Sequence, residues 1–202
     1  MIAASGVDGG NMTGASDVRN TDQTPEMVLY AAVGELAAKN VGAFNLDGVA
    51  ARAGVDVLTI KQLWANAPEL FTAALLAFAK KYMPIPDTGT LRGDMLQFAK
   101  SYALCFNSPI GRRLLDTLIV KPEDWDVAGS REHFLAGRRE ALTGMVRRGI
   151  ERGECSEDTD PVLLIDMLCS CLGTPLLFYD LPVTDEHCEY VVDLMLNGVR
   201  RR

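Results

Sequence analysis

Along most of this chain apolar residues recur every three or four positions, and nowhere do they alternate over a strand's length. Thr24-Pro25 reads as a helix start, a capping hydroxyl followed by proline at the first helical position. Leu29, Ala32, Val33, Leu36 and Ala37 form its inward stripe, and residues 40–42 end it. The stretch 45–70 predicts two short helices joined by a tight turn. Asn45 caps the first, because its side-chain oxygen can accept a free N–H of the opening turn. Val49, Ala50 and Ala53 give that helix a narrow, small apolar face. Gly54 follows where a helix end favours a left-handed residue without a Cβ. Asp56 caps the second, in which Ile60 and Trp64 share one face while Thr59, Lys61 and Gln62 point elsewhere. A fourth helix starts at Ala67-Pro68, buries Leu70, Ala74, Leu75 and Phe78, and runs to about Tyr82.

Pro84, Pro86 and Gly89 then interrupt the periodicity and mark an internal boundary. Beyond it, residues 90–107 predict a helix with Leu91, Met95, Phe98, Tyr102 and Cys105 on one face. Ser108-Pro109 opens another that ends near Val120. Residues 121–129 are polar, with Pro122 and Gly129 as breakers. Residues 130–153 form a charged helix with Phe134, Leu142, Met145, Val146 and Ile150 inward, its arginines read as a solvated face. Asp160-Pro161 starts the most apolar segment, 162–178, which needs cover on two faces. A last helix from Thr184 to about Val199 carries Cys188, Val191, Val192, Met195, Leu196 and Val199 on one stripe. The expected architecture is all-α, with about nine helices.

Composition narrows the function. Residues 1–23 are rich in Gly, Ser, Asn, Thr and Asp and are expected to be a disordered tail. They lack the basic start and apolar block of a secretory signal. No run is expected to reach the roughly 18 uncharged apolar residues of a transmembrane helix, so no membrane partner is expected and the cytoplasm is the expected location. The five cysteines (105, 155, 169, 171 and 188) read as reduced thiols, and Cys169 and Cys171, two apart on a helix, make a poor metal pair. Only His133 and His187 are present, neither in a nucleophile motif, and no phosphate loop, HExxH or CxxC occurs. No enzyme activity, catalytic residue, cofactor or metal is expected. The net charge of −7 is unhelpful for binding DNA, but nine acids and no Lys or Arg lie within 154–190, far along the chain from the short helices.

Two helices around a glycine turn make a helix-turn-helix, whose second helix can enter a DNA major groove. Val49-Ala50, Ala53-Gly54-Val55 and Thr59-Ile60, with Trp64 and Glu69-Leu70 at their spacing, resemble the TetR family of bacterial transcriptional repressors. Ala31-Ala32, Leu36, Gly42 and Phe44 sit where that family's first helix and following loop lie, and Arg152-Gly153-Glu154 with the last two helices resembles the C-terminal domain of one TetR subgroup. The resemblance implies a DNA-reading unit at 24–83 and an effector-binding and dimerisation unit at 88–202. Val57, Thr59, Lys61 and Gln62 are the expected groove-facing residues, and Asn45 and Arg52 the expected phosphate contacts. Met95, Phe98, Tyr102, Phe106, Trp125, Phe134 and Met145 are available to line an effector pocket with few charges in its wall. Leu168, Leu172, Val192, Met195 and Leu196 are expected at a four-helix homodimer interface.

The expected function is a repressor that binds a palindromic double-stranded DNA operator as a homodimer and is released by a small, apolar effector. Where the family commonly has Ser, Gly, Tyr and Lys, this chain has Asp56, Leu58, Lys61 and Ala67. Over 45–70 Arg52 and Lys61 face Asp47, Asp56 and Glu69, a net −1. The alternative is a dimeric ligand- or partner-binding module on the same fold, without sequence-specific DNA binding.

Overall fold

A computed structural model describes residues 17–39, 43–119 and 128–199. Among these the chain forms nine α-helices and no strand: α1 (Asp17–Ala38), α2 (Leu46–Ala53), α3 (Val57–Leu63), α4 (Ala67–Tyr82), α5 (Leu91–Phe106), α6 (Pro109–Ile119), α7 (Ala128–Glu151), α8 (Pro161–Tyr179) and α9 (Asp185–Val199).

Local chemistry accounts for most of the ends. Asn45 Oδ1 accepts from Gly48 N–H at 2.8 Å, and Gly54 closes α2 at φ 69°. Asp56 Oδ1 accepts from Leu58 N–H at 2.7 Å. At α4, Asn66 Oδ1 accepts from Glu69 N–H while Glu69 Oε2 accepts from Ala65 N–H, two reciprocal bonds that use otherwise unpaired donors. Thr90 caps α5 and Asp160 caps α8, the latter ahead of Pro161 in the first turn.

The first helix departs from the expectation. It begins at Asp17, seven residues before Thr24, so Pro25 lies inside it and residues 17–23 are helical rather than part of a disordered tail. Proline's own φ is helical; its cost is one missing N–H and crowding of the turn before it. Residues 17–23 contain neither glycine nor proline, so nothing there stops the helix from continuing. The rest of the expected tail, 1–16, lies outside the described residues.

Two hydrophobic clusters organise the fold. One joins Val28, Leu36, Val49, Ile60, Leu70 and Phe71 of the first four helices with Phe44 just before α2, and is completed by Leu114 of α6 and Phe134 of α7. The other is built from α5 to α9 around Met95, Phe98, Tyr102, Met145, Leu168, Leu172 and Val192. The segment between α4 and α5 is tied down by α7: Arg148 Nη2 donates to Pro86 O at 2.6 Å and lies 3.1 Å from Asp94. Asp94, fully buried, also accepts from Thr88 N–H and Oγ1–H. Arg113 Nη1 donates to Ala37 O at 3.1 Å and holds α6 against the end of α1.

Helix α8 corrects the membrane expectation. Over 19 residues its mean hydropathy reaches 1.8, enough by length and composition to cross a membrane. Its one charged residue, Asp166, is paired by Arg139 of α7 at 2.9 Å. Its inner face packs against α5, α7 and α9.

Candidate nucleic-acid interface and effector domain

Helix α3 is seven residues long, and a single anchor orients it. Ile60 is fully buried in the N-terminal cluster and Trp64 packs against the same cluster. The helical period then turns Leu58, Lys61 and Gln62 together to the outside, three and four residues apart. Val57 and Thr59 are half-buried at the edges of this strip. Among the described residues Lys61 has no ion-pair partner, which leaves its ammonium available to an anion. Leu58, 63% exposed, was not among the expected groove-facing residues. Counting back one turn from Lys61 would have found it, and its methyl groups can meet a thymine methyl.

The two expected phosphate contacts are engaged elsewhere. Asn45 uses its oxygen on Gly48 and donates its nitrogen to Ala43 O at 3.0 Å, so both ends of the amide serve the α2 cap. Arg52 turns back onto α1, where Nε and Nη2 each donate to Glu35 Oε2 at 3.3 Å. Lys39 Nζ lies 2.6 Å from the other oxygen of Glu35, which is only 2% exposed. This buried carboxylate needs both cations to offset its lost hydration. It also explains Gly48, since a Cβ there would fall 2.1 Å from Glu35 Oε1. Arg52→Ala is therefore expected to lower unfolding stability by about 1–3 kcal/mol in urea melts, with part of the loss recovered when Glu35 is also changed to Gln. An unchanged melt would return Arg52 to a purely DNA-facing role.

In the C-terminal half, Met95, Phe98, Tyr102, Phe106 and Met145 are all buried in one cluster. Phe98, Tyr102 and Phe106 form an edge-to-face ladder along α5, with centroids 6.1 and 4.5 Å apart. Phe134 does not join them. It packs with the first four helices, because α7 crosses α4 and presents that residue to the N-terminal cluster. Trp125 lies outside the described residues. The expectation of a wall with few charges meets one exception, Arg138, whose guanidinium stands over the Phe98 ring. A separate apolar cleft of about 270 Å³ opens between α1, α4, α5 and α6, lined by Tyr30, Val33, Phe78, Tyr82, Leu104 and Ile110 among others. None of the expected pocket residues among those described borders it.

The described cysteines are free thiols, and Cys105, Cys155 and Cys188 are buried. Burial pushes Cys105 up to about 12 and Cys169 and Cys188 to about 11, so these stay protonated and unreactive at neutral pH. Among the described residues no group of three His, Cys, Asp or Glu could hold a metal.

The structure places the expected interface residues of the last helix pair against the chain's own core. Leu168, Leu172, Val192 and Met195 are buried within the chain itself, and Leu196 packs against the same cluster. Helix α8 has two apolar stripes, and the one containing Leu168 faces α5, α7 and α9. The other stays outside: Leu163 at 56% exposure, Met167, Cys171 and Phe178 at 76%. On α9, Tyr190 and Leu194 are also outside. His187 Nε2 lies 3.2 Å from Cys171 O, which brings the two outer stripes side by side.

Residues 85–195 match the family model described as tetracyclin repressor-like, C-terminal domain. The chain is 31% identical over 180 residues to the HTH-type transcriptional regulator AqdR of Rhodococcus erythropolis, covering 86% of this chain and 84% of that one. It is 29% identical to the uncharacterized HTH-type transcriptional regulator YdeS of Bacillus subtilis, over 88% of each chain. The crystal structure of the TetR family transcription regulator SCO0332 superposes with a TM-score of 0.68 at 25% identity, covering 89% of this chain and all of that one. By its C-terminal domain, its relatives and its fold, the chain belongs to the TetR family of transcriptional regulators, which bind DNA and are not enzymes.

Proposed function

We propose that this regulator is a repressor that binds a palindromic operator as a homodimer and leaves it when a small effector binds. Residues 24–83 form the reader and residues 88–202 the effector and dimerisation unit, acting on the chromosome in the cytoplasm. The observation that carries this reading is the outward strip Leu58, Lys61 and Gln62 on α3, anchored by buried Ile60 and, among the described residues, bare of internal partners. Lysine can donate to guanine or phosphate, glutamine can pair with adenine through two bonds, and leucine and Thr59 can meet thymine methyls. Two copies joined through the outer stripes of α8 and α9 would present two such helices to successive half-sites. Helix α4 runs from reader to effector unit, so a ligand that alters its seating changes half-site spacing. By linkage that ligand must bind less tightly when operator is present.

Selection of operator from genomic fragments, followed by fluorescence anisotropy on the selected site, tests the reading. A two-fold symmetric sequence is expected, with affinity that falls steeply as salt rises. Gln62→Ala is expected to relax one base position per half-site at a cost of roughly 1–3 kcal/mol.

One observation favours a second reading, a dimeric ligand-binding or partner-binding module without sequence preference. Residues 45–70 carry net −1, Asp56 sits at the mouth of α3, and the side chains of Asn45 and Arg52 are engaged within the fold. Absence of any selected sequence would establish that reading instead.

A further inference from the structure

The cleft between α1, α4, α5 and α6 is a concavity at the joint of reader and effector unit. Tyr30 and Val33 form its α1 wall, Phe78 and Tyr82 its α4 wall, and Leu104 and Ile110 bound it from α5 and α6. Its volume of about 270 Å³ decides the size of an occupant. A dry apolar cavity of roughly 150 Å³ takes up one benzene ring, so this one has room for two. One turn of helix, roughly 10 Å across and 5.4 Å long, is larger, so a partner helix does not fit inside.

The lining decides the chemistry. No charged residue borders the cleft. Ser108 Oγ, which does, is engaged by its own turn: it donates to Cys105 O at 2.6 Å and accepts from Gly111 N–H at 3.0 Å. Burial pushes the neighbouring Cys105 thiol up to about 12, so it stays neutral. The walls are rich in rings, with Phe78 and Tyr82 meeting at 4.7 Å in a tilted pair. Lys81 is not part of the lining. Its Nζ stands 5.5 Å from the centre of the Tyr30 ring and 5.6 Å from that of Tyr82, so one cation bridges the tyrosines of α1 and α4. An ion entering the cleft would give up hydration to apolar walls, whereas a neutral ring would not.

We propose that this cleft binds a neutral aromatic molecule of about two rings, and that it is the effector seat in place of the C-terminal core. This rests on the effector-responsive reading above and names its site and ligand class. In the core, Met95, Phe98, Tyr102, Phe106 and Met145 are at most 7% exposed and pack in one cluster. The position of the cleft supplies the coupling. A ring held there touches α1 of the reader and α6 of the effector unit together, so occupancy sets their relative seating. Tyr30 and Gly34 also border a second cleft on the reader side, with Met27 and Arg52. The partition is thin at Gly34, where a Cβ would approach Arg52 Cδ to 3.1 Å. A shift of Tyr30 is thus felt beside Arg52, the residue that fastens α2 to α1.

Isothermal titration of the full-length protein with β-naphthol, indole and coumarin tests this, with β-naphthoate and octanol as charged and aliphatic counterparts. At least one neutral aromatic is expected to bind at micromolar concentration, about tenfold or more tightly than either counterpart. Nuclear Overhauser contacts from its ring protons are expected at the methyl groups of Val33, Leu104 and Ile110, and not at those of Met95 and Met145. Tyr30→Ala is expected to weaken binding about tenfold, and Ile110→Trp, which fills the cleft, to abolish it. Both side chains are exposed, and thermal melts of each variant separate lost binding from lost folding. The wild-type contacts decide the matter even if a variant does not fold. No binding of any neutral aromatic below millimolar concentration, preference for β-naphthoate or octanol, or contacts confined to Met95 and Met145 would overturn the proposal. Operator anisotropy with the bound aromatic separates the two readings. Binding in the cleft that leaves operator affinity unchanged supports the site and defeats ligand release. Intact operator binding by a protein that takes no neutral aromatic defeats the site alone.

Discussion

Leu194→Asp is expected to give a folded monomer, and Leu168→Asp a chain that does not fold. Both residues lie on the last helix pair and both are leucines within an apolar stripe, but the structure separates them. Leu194 is 60% exposed, so an aspartate there stays hydrated in the isolated chain and is buried only if a partner covers it. Two such charges, one from each copy, would face a dry interface without a counter-ion, at several kcal/mol. Leu168 is fully buried among α5, α7 and α9. Replacing it removes a packed side chain, worth about 2–5 kcal/mol, and strands a charge as well. That approaches the 5–15 kcal/mol of an ordinary domain's whole stability. Light scattering after size exclusion at micromolar concentration, with a circular-dichroism melt, reads both. A folded monomer from Leu168→Asp and an intact dimer from Leu194→Asp would reverse the assignment of the two faces.

Asp56→Ser with Ala67→Lys is expected to strengthen operator binding by ten- to a hundredfold at low salt. Each reader loses one negative charge and gains one positive, a change of +2. A new lysine–phosphate contact in each half-site should steepen the salt dependence by about two units of slope per dimer. The fold is expected to tolerate the pair. Asp56 works in the structure as the cap of α3, and a serine oxygen can accept the same Leu58 N–H. Ala67 is half-buried against the N-terminal cluster, so the lysine stem must lie along that surface and carry its ammonium outward. Its position in the first turn of α4 costs a few tenths of a kcal/mol against the helix dipole. Anisotropy across a salt series gives the slope directly. A stronger affinity with an unchanged slope would mean that the lysine does not reach phosphate. No preference for any sequence in either protein would mark the helix-turn-helix as structural only.

What could be read before folding was whatever depends on neighbours along the chain. Asn45, Gly54, Asp56, Thr90 and Asp160 mark helix ends because a cap joins residues two or three positions apart. The buried faces of α3 and α5 followed from the helical period, with Ile60 and the Phe98–Tyr102–Phe106 ladder where it puts them. Even there one local signal misled: Pro25 looks like a helix start, and only the continuing chain shows that α1 began two turns earlier.

Residues whose roles depend on distant partners were not legible. Arg52 looks like any exposed cation of a DNA reader until Glu35, 17 residues earlier, takes its guanidinium. Arg138 looked like part of a solvated face until α4 and α5 came to lie beside α7, placing Met83 O and the Phe98 ring against it. Phe134 has the spacing of its own helix's core, yet the crossing of α7 over α4 sends it to the other cluster. Helix α8 is the clearest case. Its sequence shows that two faces are apolar, and a period of 3.6 residues treats them alike. Which face turns inward was decided by the packing of α5, α7 and α9, because burial is a property of the assembled surface and not of the residue.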